Sequence, residues 1–460
     1  MKEKQNNPLL GNKMGHMPVG KLLFNMALPM IISMLVQAFY NIVDSIYVSQ
    51  ISESAVTAMS LAFPVQNVQI GFGVGIGVGV NSLLSKSLGE GNQEKADRTA
   101  GNGIFLILVV TAAFLLFGLF GVRPYYEMQS DVAQTVEGGI AYSSICSIFT
   151  LGVFAEILFE RLLQASGRTV HTMITQSVGA IINILLDPIF IFGVEALGIP
   201  AFGMAGAAIA TVLGQWVAAI LALIFNIKFN PDVHLLLKNL RPRKEIVGSI
   251  LSIGVPSIVM NGIGAVMNFS MNQILQGFHE TATGVFGIYY KLQSFFFMPL
   301  FGINNATISI VAYNYGAKNP QRIIGTLKRS CLTAAGIMVA GLLVFQLLPE
   351  QLLGIFNPSE EFLRIGCGAL RIISFHFPLA AVCIALSASF QALGTGIYST
   401  ITSLCRQMIV LLPAAYLLSL TGEVTNVWWA FPIAEFASLA ATLFFFLRIY
   451  RRKVKPLIAE

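Results

Sequence analysis

Charge is scarce in this chain of 460 residues: only 11% are Asp, Glu, Lys or Arg, against about 25% in a typical soluble domain. So few ionic groups could not cover the surface of a water-soluble protein of this size. An ordinary cytosolic enzyme and a disordered chain are therefore excluded. Cysteine is scarce too. Cys146, Cys331, Cys367, Cys383 and Cys405 are the five, and all fall in or at the ends of apolar runs, with an odd count and no CxxC spacing. That excludes a disulfide-stapled secreted domain and leaves the thiols as small packing residues. Enzyme signatures are missing as well: there is no Walker loop, no metal-spaced His/Cys cluster and no nucleophile elbow. GFGVGIGVG (71–79) follows no strand and lies inside an apolar run. It reads as a small-residue face, with Gly71, Gly75 and Gly79 permitting close helix contact, not as a nucleotide loop.

What the chain has in abundance is apolar length, with 55% hydrophobic residues. A bilayer core about 30 Å thick needs roughly 20 apolar residues per helix. Twelve runs meet this, at 22–48, 55–84, 102–122, 139–163, 170–193, 201–227, 247–276, 282–312, 329–348, 365–389, 397–420 and 425–447. The polar start, followed by a first run too long for an h-region, shows no cleavable signal peptide. With the N-terminus inside, 23 of the 28 Lys and Arg border the inner face, Arg161 and Arg168 among them, and only Arg123 and Arg364 lie outside. This asymmetry predicts an even number of spans with both termini cytoplasmic. It assigns the net charge of +6 to the lipid surface and gives no support to a nucleic-acid partner.

The chain repeats itself at an offset of 227. Pro29 matches Pro256, Asn41 matches Asn268, Gln66 matches Gln293, Gly75 matches Gly302, Asn92 matches Asn319, Gln164 matches Gln391 and Gly167 matches Gly394. Six spans per repeat make the halves parallel, related by an axis along the membrane normal. The expected fold is all-α: twelve transmembrane helices in two parallel six-helix bundles. The expected divisions are an N-terminal segment 1–21, a first bundle 22–227, a basic linker 228–246, a second bundle 247–447 and a basic tail 448–460. This architecture suits a secondary transporter better than a channel or an intramembrane enzyme.

Ionisable groups within the bilayer are costly and usually mark pathways or pairs. At 1.5 Å per residue, Asp187 lies roughly 26 Å into the fifth span, with Asn183 one turn earlier on the same face. Asp44 lies in the outer half of the first span, and Thr211 roughly 15 Å into the sixth. These four can meet within the first bundle. Two carboxylates, an amide oxygen and a hydroxyl make a hard oxygen site for a sodium ion or a proton. The first six spans offer no basic residue at depth, so a mobile cation must supply the countercharge. Glu156 and Glu160 stand one turn apart on the fourth span, Glu160 beside Arg161 at its inner end. Lys291, His376, Arg406 and Glu435 all fall at middle depth in the second bundle. They read as a buried polar network in which opposite charges cancel. Phe39, Tyr40, Phe63, Phe154, Tyr290 and Phe295 are candidate linings of an apolar, aromatic cavity for a lipophilic cation.

Four segments resemble the multidrug and toxic compound extrusion (MATE) family, in its bacterial drug-exporting branch. They are YNIVDSIYVSQISESAVTAMS (40–60), SLGEGNQEKADRT (87–99) with its echo NYGAKNPQRIIGT (314–326), QASGRT (164–169) with its echo QALGTG (391–396), and NILLDPIFIFG (183–193). The resemblance implies export of bulky, often cationic organic compounds across a bacterial cell membrane, driven by influx of Na+ or H+ and needing no other cofactor. It implies a cation site at Asp44, Asn183, Asp187 and Thr211, a hinge at Pro29 and a role for Glu160 in attracting cationic drugs. A monomer in lipid is expected, with small molecules as partners. Another class with related topology is a flippase of lipid-linked oligosaccharides, which would line its cavity with several arginines or lysines for pyrophosphate.

Overall fold

The structure, a computed structural model, describes residues 12–194, 198–278, 280–356 and 359–459. Of the N-terminal segment 1–21, residues 1–11 lie outside the described residues, as does the last residue of the tail. The first repeat contains α1 (Lys13–His16), α2 (Val19–Ser49), α3 (Glu53–Gly89), α4 (Gln93–Leu116), α5 (Val122–Glu127), α6 (Ala133–Ile148), α7 (Leu151–Ala165), α8 (Thr169–Phe192) and α9 (Met204–Phe229). The second contains α10 (Lys244–Gln276), α11 (Glu280–Gly316), α12 (Pro320–Leu347), α13 (Pro349–Gly354), α14 (Glu360–Ser374), α15 (Phe377–Ala392), α16 (Ile397–Leu404), α17 (Leu412–Ser419), α18 (Val424–Val427) and α19 (Ala430–Ile449).

Every apolar run becomes helix, because a segment with no water around it must satisfy its backbone polar groups internally. Ten spans are long enough to cross a bilayer by themselves, and α6 with α7 and α14 with α15 supply two more as pairs bent by 46° and 45°. The twelve-helix expectation holds. The two bends fall at corresponding points of the repeat, in the fourth and tenth spans.

The repeated motifs turn out to be turn chemistry. Asn92 and Asn319 each cap the following helix, accepting from the backbone N–H of Lys95 (3.0 Å) and Arg322 (3.2 Å). Such a cap satisfies a backbone donor that has no partner inside the helix. One residue earlier, Gly91 (φ 68°) and Lys318 (φ 52°) both turn the chain through the left-handed region. Lys318 is the sole non-glycine residue with positive φ among the described residues. Gly167 and Gly394 likewise adopt φ of 83° and 71° where α7 and α15 end. The N–H of Arg168 then reaches back to the Leu163 carbonyl and that of Thr395 to the Phe390 carbonyl, both at 2.7 Å.

Packing divides the chain into two compact units. One is Ile32–Ile258; the other joins residues 12–31 to the chain from Val259 onward. Both divisions fall inside helices, two residues beyond the equivalent prolines Pro29 and Pro256. Residues 22–31 thus pack with the second unit and 247–258 with the first, so the units differ from bundles drawn at the linker. Close approach between helices holds these segments. A Cβ on Gly75 of α3 would come within 2.4 Å of Ile258 Cγ1 and 2.8 Å of the Gly254 carbonyl oxygen. One on Gly79 would meet the Ile250 carbonyl oxygen at 2.3 Å. In the second unit, a Cβ on Gly302 of α11 would meet Ile31 Cγ1 at 2.7 Å.

The stretches leading into α2 and α10 are fastened down. In the first unit, Asn102 of α4 accepts from the Arg243 N–H (2.7 Å) and donates to the carbonyls of Asn239 (3.2 Å) and Arg241 (3.3 Å). Asp97 accepts from the His234 N–H at 2.8 Å. In the second unit, Arg322 donates to the carbonyls of Met14 and Met17, both at 2.8 Å, and Met14 is fully buried.

Candidate functional site: an oxygen cluster in the first unit

Asn183 and Asp187 lie one turn apart on α8, so their side chains share a face. The Asn183 amide nitrogen donates to Asp187 Oδ1 and to Thr211 Oγ1 of α9, both at 3.3 Å. Small residues allow α8 and α9 to approach this closely: a Cβ on Gly214 would meet the Gly179 carbonyl oxygen at 2.8 Å and Asn183 Cβ at 3.2 Å. Asp44, from the end of α2 that belongs to the first unit, lies within electrostatic reach of Asp187. The structure thus joins Asn183, Asp187 and Thr211 by hydrogen bonds and leaves Asp44 within electrostatic reach of Asp187, with no hydrogen bond to them.

All four are buried: Asp44 is 4% exposed, Asn183 3%, Asp187 0% and Thr211 7%. Three oxygens in the cluster, Asp44 Oδ1, Asn183 Oδ1 and Asp187 Oδ2, have no hydrogen-bond partner. Asp44 and Asp187 form no ion pair among the described residues. The orientation of Asn183 explains part of this. With its nitrogen turned to Asp187 and Thr211, its carbonyl oxygen is left available. Unpartnered buried oxygens are costly, and hard oxygen donors of this kind match a small hard cation or a proton.

Neighbours that sequence reasoning missed complete the surroundings. Tyr142 and Cys146 of α6 both lie within electrostatic reach of Asp44. The Tyr142 hydroxyl accepts from the Gln66 amide at 2.8 Å. The match of Gln66 with Gln293 was the one available signal, since it marked a polar residue retained in both repeats. Tyr40 lies within electrostatic reach of Asp44, Asp187 and Glu156 together, which ties the oxygen cluster to the acid pair on α7.

In that pair, Glu160 is buried and accepts from the Thr175 hydroxyl at 2.8 Å. Glu156 is half-buried and makes no hydrogen bond among the described residues. Arg161 requires a correction. Its place at an inner helix end suggested a loop charge, but it is buried within α7. Its guanidinium donates to the Gln164 side chain at 2.9 Å. The fourth span continues to Ala165, so the first six spans do carry one buried base.

The aromatic candidates scatter. Phe39, Phe63 and Phe295 are exposed and Tyr40 is half-buried. Phe154 is 1% exposed and packs edge to face on Phe114 at 5.7 Å. It is a core residue, not a cavity lining, because the glycines of α3 let it sink against that helix. Tyr290 stacks edge-on against Phe286 at 5.8 Å within the core of the second unit.

The expected network in the second unit is only partly assembled. Arg406 and Glu435 pair at 3.6 Å. His376 sits in the bend before α15, its Nδ1 donating to the Ile373 carbonyl at 2.6 Å, and lies within electrostatic reach of both. Lys291 is exposed on α11 and makes no contact with them, a correction to its inclusion. Its side chain leaves the helix on the face away from Tyr289, which is buried and turned inward.

A helical membrane protein with two repeated halves and a buried, uncompensated carboxylate pair has the plan of a secondary transporter. The MatE family model matches residues 29–189 and again 256–417. The chain belongs to the MATE family. It is 24% identical over 431 residues to the multidrug export protein MepA of Staphylococcus saprophyticus, covering 93% of this chain and 94% of that one. Among solved structures, a MATE protein in complex with MaL6 is 26% identical with a TM-score of 0.88, covering 98% of this chain and 99% of that one. An outward-facing multidrug resistance MATE transporter gives 25% and 0.88, with 98% of each chain covered.

Proposed function

We propose that this protein is a secondary active exporter of bulky, often cationic organic compounds in a bacterial cell membrane, with both termini cytoplasmic. Influx of Na+ or H+ at Asp44, Asn183, Asp187 and Thr211 drives it. The observation that carries the reading is the set of three buried oxygens without partners, two of them on carboxylates that lack an ion pair. The drug-export names of the bacterial relatives support the substrate class. The incoming cation is a co-substrate. It binds the oxygens that Asn183 leaves open and neutralises Asp44 and Asp187. Because one ligand changes the affinity for another only by binding two states unequally, the cation must favour the state that has released the drug. Asp44 stands on the same helix as Pro29, so cation binding acts on the helix that carries the candidate hinge.

Reconstitution into proteoliposomes, with sodium and proton gradients imposed separately and export of a fluorescent cationic dye as readout, tests this. Wild type is expected to export under an imposed cation gradient. Asp44→Asn and Asp187→Asn are each expected to abolish coupled export while still inserting in the membrane. Wild-type export by both variants would overturn the reading.

A further inference from the structure

The linker between the two repeats is polar and basic, yet it displays leucines. Leu237 is 85% exposed and Leu236 43%. Leu237 opens a short 3-10 turn, Leu237–Leu240, with Leu236 just ahead of it. Residues 234–244 include four Lys and Arg residues, Lys238, Arg241, Arg243 and Lys244, and no acid; the next acid is Glu245 in the first turn of α10. All four are exposed. Among the described residues the charged contacts of the linker are Asp232 with Arg168 (3.1 Å) and His234 with Asp97 (3.3 Å), and none of the four takes part.

The leucines are not free to turn inward. Asn239, two residues beyond Leu237, is buried, and its N–H returns to the Leu236 carbonyl at 2.9 Å. A Cβ on Gly101 of α4 would collide with the Asn239 carbonyl, so the turn lies flat against α4. Val233, on the other side, is buried in the core of the first unit. With the three hydrogen bonds of Asn102, these contacts fix the backbone and leave Leu236 and Leu237 directed away from the protein. The linker also joins α9 to α10, both long and apolar enough to span a membrane, which holds the turn at one bilayer surface. Exposed Ile227 and Phe229 bring α9 to its end there.

We infer that residues 236–244 form a docking surface for anionic phospholipid. Leu236 and Leu237 enter the boundary between headgroups and acyl chains, and Lys238, Arg241, Arg243 and Lys244 meet the lipid phosphates. Apolar side chains beside a basic cluster are what an interfacial anchor requires, and each basic residue adds attraction to an anionic surface. A soluble acidic partner would match the charges, but it gives no reason for two leucines held out at the level of a bilayer. Little ordering remains to be done on binding, because the backbone is already fixed. Gripped by α4 on one side and by lipid on the other, the linker sets the level of the first unit in the membrane. The inference needs only that the chain spans a bilayer, so it stands apart from the export reading.

The test places Leu237→Trp, in the full-length protein, into nanodiscs of phosphatidylcholine with a rising fraction of phosphatidylglycerol. Emission of the unaltered protein, which has three tryptophans, is subtracted. As the anionic fraction rises, the new indole is expected to shift to shorter wavelength and to be quenched by lipid with a nitroxide high on its acyl chain. Adding Lys238→Gln and Arg241→Gln is expected to raise the anionic fraction needed for half-maximal quenching about threefold or more, since each basic residue contributes roughly fivefold to affinity for such a surface. These side chains are exposed, so an unchanged melting temperature checks that the variants are folded. An indole that emits as in water and stays unquenched at every lipid composition overturns the inference. So does quenching that ignores both the anionic fraction and the two added changes. Release of the indole by inorganic phosphate, but not by chloride at equal ionic strength, also overturns it, because the basic residues would then hold a free anion. Should the tryptophan variant not fold, trypsin cleavage of the unaltered protein at Lys238 and Arg243 is expected to be slower in phosphatidylglycerol discs than in phosphatidylcholine discs, and equal rates overturn the inference.

Discussion

Gly302 stands against Ile31, and its repeat counterpart Gly75 stands against Ile258, the counterpart of Ile31. Each contact lies inside one unit and joins a helix of one sequence half to the opening segment of the other half. Adding a methyl group at either glycine overpacks the junction. Gly75→Ala and Gly302→Ala are each expected to cost about 1–3 kcal/mol of stability, read as a lower melting temperature in detergent. Ile31→Ala should rescue Gly302→Ala well, because the next-nearest atom to the new Cβ is Ile31 N at 3.1 Å. Ile258→Ala should rescue Gly75→Ala less, because the Gly254 carbonyl oxygen remains at 2.8 Å.

Asn183 directs the oxygen cluster by choosing where its nitrogen points. Asn183→Ala removes one open oxygen and both of its hydrogen bonds, and is expected to weaken cation dependence of export by about tenfold, equivalent to one lost charge-assisted contact. Thr211→Val removes a single neutral hydroxyl and one of the two hydrogen bonds of Asn183, and should cost less. Export rate against sodium concentration, and against pH, measures both; equal effects of the two variants would deny Asn183 its organising role.

Lys318 holds a backbone conformation that a side chain disfavours by about 1–2 kcal/mol. Replacing it with the glycine found at its counterpart, Gly91, is expected to stabilise the protein by about 1 kcal/mol. The reverse change, Gly91→Ala, should destabilise by a similar amount. Thermal unfolding of the two variants side by side checks the sign of each.

Asn102 fastens the linker through three hydrogen bonds. Asn102→Ala leaves the buried Asn239 carbonyl and the part-buried backbone groups of Arg241 and Arg243 without this partner, at about 1 kcal/mol. Trypsin cleavage at Lys238 and Arg243 is expected to accelerate several-fold or more, with dye binding unchanged. An unchanged cleavage rate would mean that the other contacts of the linker suffice.

Much of this was legible in the sequence, for reasons that differ by residue. Hydrophobic length located the spans because lipid leaves the backbone no alternative to helix. The four-residue spacing of Asn183 and Asp187 placed them on one face, and depth counting put Asp44 and Thr211 near them. The motifs around Asn92 and Gly167 were visible as repeats, and their capping and left-handed turns explain why those residue types recur. Other features were hidden. Apolar periodicity says that a segment is buried but not in which unit, so the exchange of residues 22–31 and 247–258 left no trace in the pattern. Arg161 reads as an interfacial charge until the helix is seen to run on to Ala165. Lys291 is placed by depth and Phe154 by its aromatic ring, and neither property specifies which way a side chain leaves its helix.

The exchanged segments also fix an order of assembly. When the ribosome has delivered α9, the first unit still lacks a wall, because residues 244–258 have not been made. The segment up to Ile31, by contrast, must wait through more than half of synthesis for the helices that will receive it. Neither half is a finished object on its own. A protein severed within the linker would yield two fragments, each carrying a piece that belongs to the other, and only their joint insertion could restore both cores.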